Sequence, residues 1–127
     1  MMRGILEDRA TPPLDRLRRL VHAFVQSECD EAAVRVALDD AAPLYRDAPE
    51  AADAKGEWDS VTDAFMREAL PGAPKATRDL AGDLITTTLS TVGKEFSETA
   101  RSPAEIRTYA GAMADMFCAY LESLRKR

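Results

Sequence analysis

From Thr11 the chain repeats apolar residues at three- and four-residue intervals. Leu14, Leu17, Leu20, Val21, Phe24 and Val25 line one side of a helix, and Asp15, Arg16, Arg18 and Arg19 fall on the other. Thr11 is placed to cap this helix. Pro12 suits the first helical position, where a missing N–H costs nothing, and Asp15 sets a negative charge in the first turn. The pattern predicts a helix to about Ser27. Asp30 then caps a second, shorter helix with Val34, Ala37, Leu38 and Ala41 on its apolar side, interrupted by proline between Pro43 and Asp47.

A third helix is predicted from about Pro49. It is weakened at Gly56, is strongest over Trp58, Val61, Phe65 and Ala69, and is closed by Pro71 and Gly72. The fourth, from Pro74 to Glu98, carries Leu80, Leu84, Ile85, Leu89, Val92 and Phe96, and at 1.5 Å per residue spans about 37 Å. Ser102, Pro103, Ala104 and Glu105 spell a capping box with proline at the first helical position, so a fifth helix runs from there almost to the end. No alternating strand pattern, hairpin dipeptide or internal repeat competes. The expected fold is all-α, a five-helix bundle.

The last two helices are apolar over more than the stripe of about 100° that one globular core covers. Ile106, Tyr109, Ala110, Met113, Met116, Phe117, Tyr120, Leu121 and Leu124 spread over roughly 160° of the fifth. Leu80, Ala81, Leu84, Ile85, Thr88, Leu89, Val92 and Phe96 spread over roughly 180° of the fourth. Such a face can serve its own bundle with one half and an identical subunit with the other, giving a two-fold homodimer through a four-helix interface. Ile85, Leu89, Val92, Phe96, Tyr109, Met113, Met116, Phe117 and Tyr120 are its candidate residues, with Ala110, Gly111 and Ala114 permitting close approach. The competing arrangement has helices two and three cover both halves. The first helix is also wide, roughly 140°, and is placed centrally.

Composition fits this picture. At 127 residues, 46% hydrophobic, 31% charged and 6% aromatic, the chain suits one globular domain whose interior is built from Ala, Leu and Val. A net charge of -5 argues against a surface that gathers phosphate backbones, and the terminal Arg125, Lys126 and Arg127 read as a solvated helix end. No apolar run approaches the ~20 residues of a membrane span, and no secretory leader is evident, so a soluble cytoplasmic protein is expected. Cys29 and Cys118 suit reduced thiols rather than a disulfide.

Candidate chemistry is sparse. His22, the single histidine, sits beside the apolar stripe and reads as a surface residue. His22, Cys29, Asp30 and Cys118 show no tight metal-ligand spacing, and Asp39 with Asp40, or Asp79 with Asp83, read as solvated carboxylates rather than acid–base pairs. Without a phosphate loop, a nucleophile elbow or a dinucleotide fingerprint, neither an enzyme nor a cofactor is expected. Thr86, Thr87, Thr88 and Thr91 are poor helix formers in a strong helix, and their hydroxyls either bond back to the backbone or face a buried ligand. Leu17, Val21, Phe24, Leu38, Trp58, Phe65, Met66, Leu84 and Thr88 are the candidates to line an apolar ligand cavity, and equally they fill a solid core.

The segments ILEDRATPPLDRLRRLVHAFV and SPAEIRTYAGAMADMFCAYLESL resemble, respectively, the entry to and the closing helix of the C-terminal regulatory domain of the TetR/AcrR family of transcriptional regulators. The resemblance implies an all-α domain at 11–127 that binds a small apolar or aromatic effector and homodimerises through its last two helices. Residues 1–10, with Ile5 and Leu6, would be the remnant of the helix linking it to a DNA-reading head. That head is expected to be absent from this chain, so DNA binding would belong only to a full-length form. A structural helical module that binds protein without any small molecule is the alternative.

Overall fold

The computed structural model describes residues 2–38 and 50–127, with side chains described for all of these but 33, 35–38 and 50–55. It contains five helices among the described residues: α1 (Met2–Glu7), α2 (Pro13–Leu38), α3 (Glu50–Ala69), α4 (Lys75–Ser97) and α5 (Pro103–Arg125). The expected end of a helix between Pro43 and Asp47, the start at Pro49, Asp39, Asp40 and Ala41, and the side chains of Ala37 and Leu38 lie outside the described residues.

The number five is reached differently from the sequence expectation. Residues 13–38 form one continuous helix with no break between Ser27 and Asp30. Nothing there stops a helix, because the run contains neither glycine nor proline. Asp30, expected as a cap, instead accepts from Gln26 Nε2 at 3.0 Å, an i,i+4 pair that supports continuation. The fifth helix is α1, of which six residues are described. It is held by burial of Leu6 and by packing of Met2 and Ile5 on the core.

Between α1 and α2 the chain turns on Asp8, which accepts from Ala10 N at 3.2 Å and from the Thr11 hydroxyl at 2.8 Å. Thr11 is thus turned back toward Asp8 rather than into the helix. The first helical bond runs from Arg16 N to the Pro12 carbonyl at 3.0 Å, so α2 begins one residue later than expected.

The start of α4 follows Pro74, whose extended φ of -61° and ψ of 154° precede the helix. At α5 the capping box forms in full, with Glu105 N donating to Ser102 Oγ at 3.1 Å and Ser102 N donating to Glu105 Oε1 at 2.9 Å. These bonds hold the Glu105 carboxyl below the usual carboxylate range. The α4–α5 connection is tied by Arg101, whose Nε donates to the Phe96 carbonyl at 3.1 Å while its guanidinium lies 4.2 Å from the Phe96 ring centroid. Tyr109 stacks on Phe96 at 4.1 Å.

At the centre, α2 packs against α1, α4 and α5, and α3 closes the side between α1 and α4. Leu17, Leu20, Val21 and Val25 of α2 meet Phe65 and Met66 of α3, Ile85 and Leu89 of α4, and Met113, Phe117 and Leu121 of α5 in one buried cluster. Small residues set the approach of α4: Gly93 faces the Phe24 ring and Gly82 faces Met66 and Thr62. No described helix is long and apolar enough to cross a membrane.

Candidate functional site

The largest of the fully buried side chains is charged. Arg16 is 1% exposed, and its Nη1 donates to the Leu6 carbonyl at 2.8 Å and to Glu68 Oε2 at 3.1 Å, while Nη2 donates to Glu68 Oε1 at 3.1 Å. One guanidinium therefore joins α2 to the last turn of α1 and the last turn of α3, with the Phe65 ring 5.6 Å beneath it. The hydrophobic pattern sets Arg16 on the solvent side with Arg18 and Arg19, and the structure corrects this. Arg16 stands four residues before Leu20, on the same row of the helix, and that register carries it inward. Bonding to Arg16 holds the Glu68 carboxyl below the usual carboxylate range, and Arg9 in the α1–α2 turn adds to the effect. Arg18 and Arg19 remain at the surface, paired with Asp115 and Asp8.

Of the residues expected around a ligand, Leu17, Val21, Phe65 and Met66 are buried together in the core, and Phe24 and Trp58 are half-buried against it. Thr88 is half-buried on α4. Leu38 closes the described part of α2, and its side chain lies outside the described residues. Leu84 departs from that group: it is 48% exposed, one residue and so about 100° away from buried Ile85.

The wide faces divide in a way that the pattern does not specify. Ile85, Leu89, Phe96, Met113 and Phe117 are buried within the chain's own bundle, and Val92 and Tyr120 are half-buried against it. The apolar surface left outward is Leu80 at 63%, Leu84 at 48%, Tyr109 at 39% and Met116 at 56%. On α4 the inward half is the one that carries Ala81, Gly82 and Gly93, because those small residues let the helix approach α2 and α3. That is the signal the sequence offers. Thr87 and Thr91 lie on the exposed side, and the Ser90 hydroxyl bonds back to the Thr87 carbonyl at 3.2 Å.

A groove of about 580 Å³ opens at the end of the bundle, between the α3–α4 connection and the end of α5. Leu70, Ala73 and Leu124 form apolar walls, with Glu68, Thr77 and Arg125 among its polar groups. Arg125 also donates through Nε to the Ala69 carbonyl at 2.7 Å, which fastens α5 to the last residue of α3. His22 is exposed, and among the described residues no three His, Cys, Asp or Glu side chains converge as metal ligands. Both cysteines are free thiols, and burial pushes their ionisation up, which keeps them weakly nucleophilic.

A bundle with a central second helix, two long terminal helices and an outward apolar surface on both is thus joined to a buried cation at the base of a short leading helix. Comparison with curated proteins finds no match. Against protein families, residues 12–124 match the tetracyclin repressor-like C-terminal domain. That match spans α2 to α5 and nearly the whole chain, and the chain belongs to the family of tetracyclin repressor-like C-terminal domains.

Proposed function

We propose that the chain is the effector-sensing and homodimerising domain of a cytoplasmic transcriptional regulator, a repressor of the TetR/AcrR type, with no catalytic role. The observation that carries this reading is the outward apolar surface of Leu80, Leu84, Tyr109 and Met116 on the two helices that end a domain of this family. Apolar surface left outward on two long helices suits an association surface, and in this reading a two-fold pairing of α4 and α5 with their copies is what covers it. Val92 and Tyr120, half-buried at the edge of the same faces, extend the contact. The DNA-reading module belongs at the far side of α1, and no residue of α2 to α5 is assigned a contact with DNA.

The effector in this reading is a small apolar or aromatic molecule held between α2 and α3 beside Phe24, Trp58, Phe65 and Met66. It acts by binding one arrangement of the two subunits better than another. Trp58 is the only tryptophan, so its emission reports on that region directly. A panel of apolar and aromatic metabolites is screened by thermal unfolding and by Trp58 fluorescence. Saturable stabilisation with a matching change in emission supports the reading, and no stabilisation across a broad panel removes its sensing half.

One observation favours a second reading, in which the domain binds protein alone. Leu17, Val21, Phe65 and Met66 are packed closely enough to be almost wholly inaccessible, as in a filled core. In that case the outward faces of α4 and α5 remain the functional surface, and the metabolite panel stays silent while dimerisation persists.

A further inference from the structure

Helix α1 docks on the bundle through its last turn, and its direction relative to α2 is set by what it touches there. Apolar docking comes from Leu6, with Met2 and Ile5 at the edge. The polar ties are of two kinds. Arg3 pairs with Glu7 and with Glu57 of α3 at the surface, where water and salt weaken such pairs. Arg16 is different, because it is buried and its Nη1 is shared between the Leu6 carbonyl and Glu68. The Leu6 carbonyl is one of the orphan acceptors at a helix end, and Arg16 satisfies it from inside the bundle.

We propose that Arg16 and Glu68 form a latch that sets the direction in which α1 leaves the bundle, with a docked state when the pair is closed and a released state when it is open. Arg16 is a positioning residue that acts on α1 through the Leu6 carbonyl. Glu68 is the half that can move, being 32% exposed and placed two residues before Leu70, where α3 gives way to the connection lining the end groove. Phe65, one turn earlier on α3, lies beneath the same guanidinium. A shift of the end of α3, caused by an occupant of the groove or of the interior around Phe65, withdraws the carboxylate. Arg16 is then left buried with only the Leu6 carbonyl, an arrangement too costly to persist without movement of α1. By linkage, displacing α1 from outside opens the same pair and alters binding at the end of α3.

The biological use of the latch rests on the reading of α1 as the segment leading to a DNA-reading module, but the latch itself is a property of these 127 residues. Gly4 and Gln26 are exposed, and a Cβ at Gly4 meets nothing within 4 Å, so G4C with Q26C accepts spin labels in a background of Cys29→Ser and Cys118→Ala. Labelled chain diluted with unlabelled chain gives the distance across α1 and α2 within one molecule. The parent is expected to show one narrow distribution. Glu68→Ala and Arg16→Met are each expected to broaden it and add a second, displaced component while circular dichroism shows the bundle still helical. Arg16→Met removes the buried charge altogether, and Glu68→Gln replaces it as the measurement should that chain not fold. A narrow, unshifted distribution in a folded Glu68→Ala protein overturns the proposal. Dimerisation and effector binding are read by separate measurements, so failure of the latch and failure of the sensing role give different results.

Discussion

The ring of Phe24 lies over Gly93 so closely that a Cβ at residue 93 would stand 2.9 Å from Cε1 and 3.3 Å from Cδ1. This glycine is therefore a spacer between α2 and α4. Gly93→Ala gains about 1 kcal/mol of helix propensity but forces the ring or the helix to move, and overpacking of this kind costs about 1–3 kcal/mol. A net loss of stability is expected. Gly56 supplies the control, since it is exposed and a Cβ added there meets nothing within 4 Å. Gly56→Ala should gain roughly 0.5–1 kcal/mol. Urea unfolding of both variants checks the opposite signs, and equal stabilisation by both would remove the spacer role.

Dimerisation through the outward faces predicts different fates for neighbouring residues. Leu84→Glu or Met116→Glu places a charge on the exposed apolar surface and should yield a folded monomer by light scattering after gel filtration. Phe117→Glu places a charge where the side chain is 4% exposed, and should unfold the bundle rather than split a dimer. A parent protein that runs as a monomer at micromolar concentration contradicts the dimer outright.

Glu68 also gives the protein a dependence on acid. Its carboxyl ionises more readily in the folded chain than in the unfolded one because Arg16 donates two hydrogen bonds to it, with Arg9 nearby. The unfolded chain therefore binds the proton more tightly. The stabilisation is complete above the unfolded value, about 4.3, and is lost as pH falls through the lower folded value. Glu105 behaves in the same sense through Ser102. Thermal melting between about pH 5 and about pH 3 should show a smaller loss for Glu68→Gln than for the parent, without abolishing the slope that Glu105 retains. Identical slopes would mean that the pair contributes nothing.

Ser102→Ala should cost about 1 kcal/mol and loosen the first turn of α5, seen as faster amide exchange around Glu105. Glu105→Gln keeps an acceptor for the Ser102 N–H and should cost less. If the two substitutions are equally harmful, the carboxylate charge matters as much as the hydroxyl that closes the box.

How far the sequence can be read depends on whether a feature is local. Pro74 and the Ser102–Glu105 box are local stop and start signals, and α4 and α5 begin where they say. The run from Gln26 to Glu31 looks like a cap because it is polar, yet with no glycine or proline it supports an unbroken helix through i,i+4 bonding. Helix α1 has no legible period in six residues, since its order comes from docking against α2 and α3. The candidate site shows the same limit. Periodicity identifies the apolar arc of α4 but not which half turns inward, and Leu80 and Leu84 lie outward because glycine and alanine line the other half. Arg16 is hidden for a related reason, as its partners Leu6 and Glu68 are distant in sequence and charge alone suggests the surface.

The central helix meets its last partner very late. The Cys118 thiol reaches the Leu14 carbonyl across 104 positions, and Arg18 reaches Asp115 across 97. During synthesis α2 emerges well before α4 and α5 and waits, greasy side uncovered, until the ribosome has delivered α5. Completion of the bundle therefore waits on α5, and the interval before it arrives is when a nascent molecule carries the most unsheltered apolar surface.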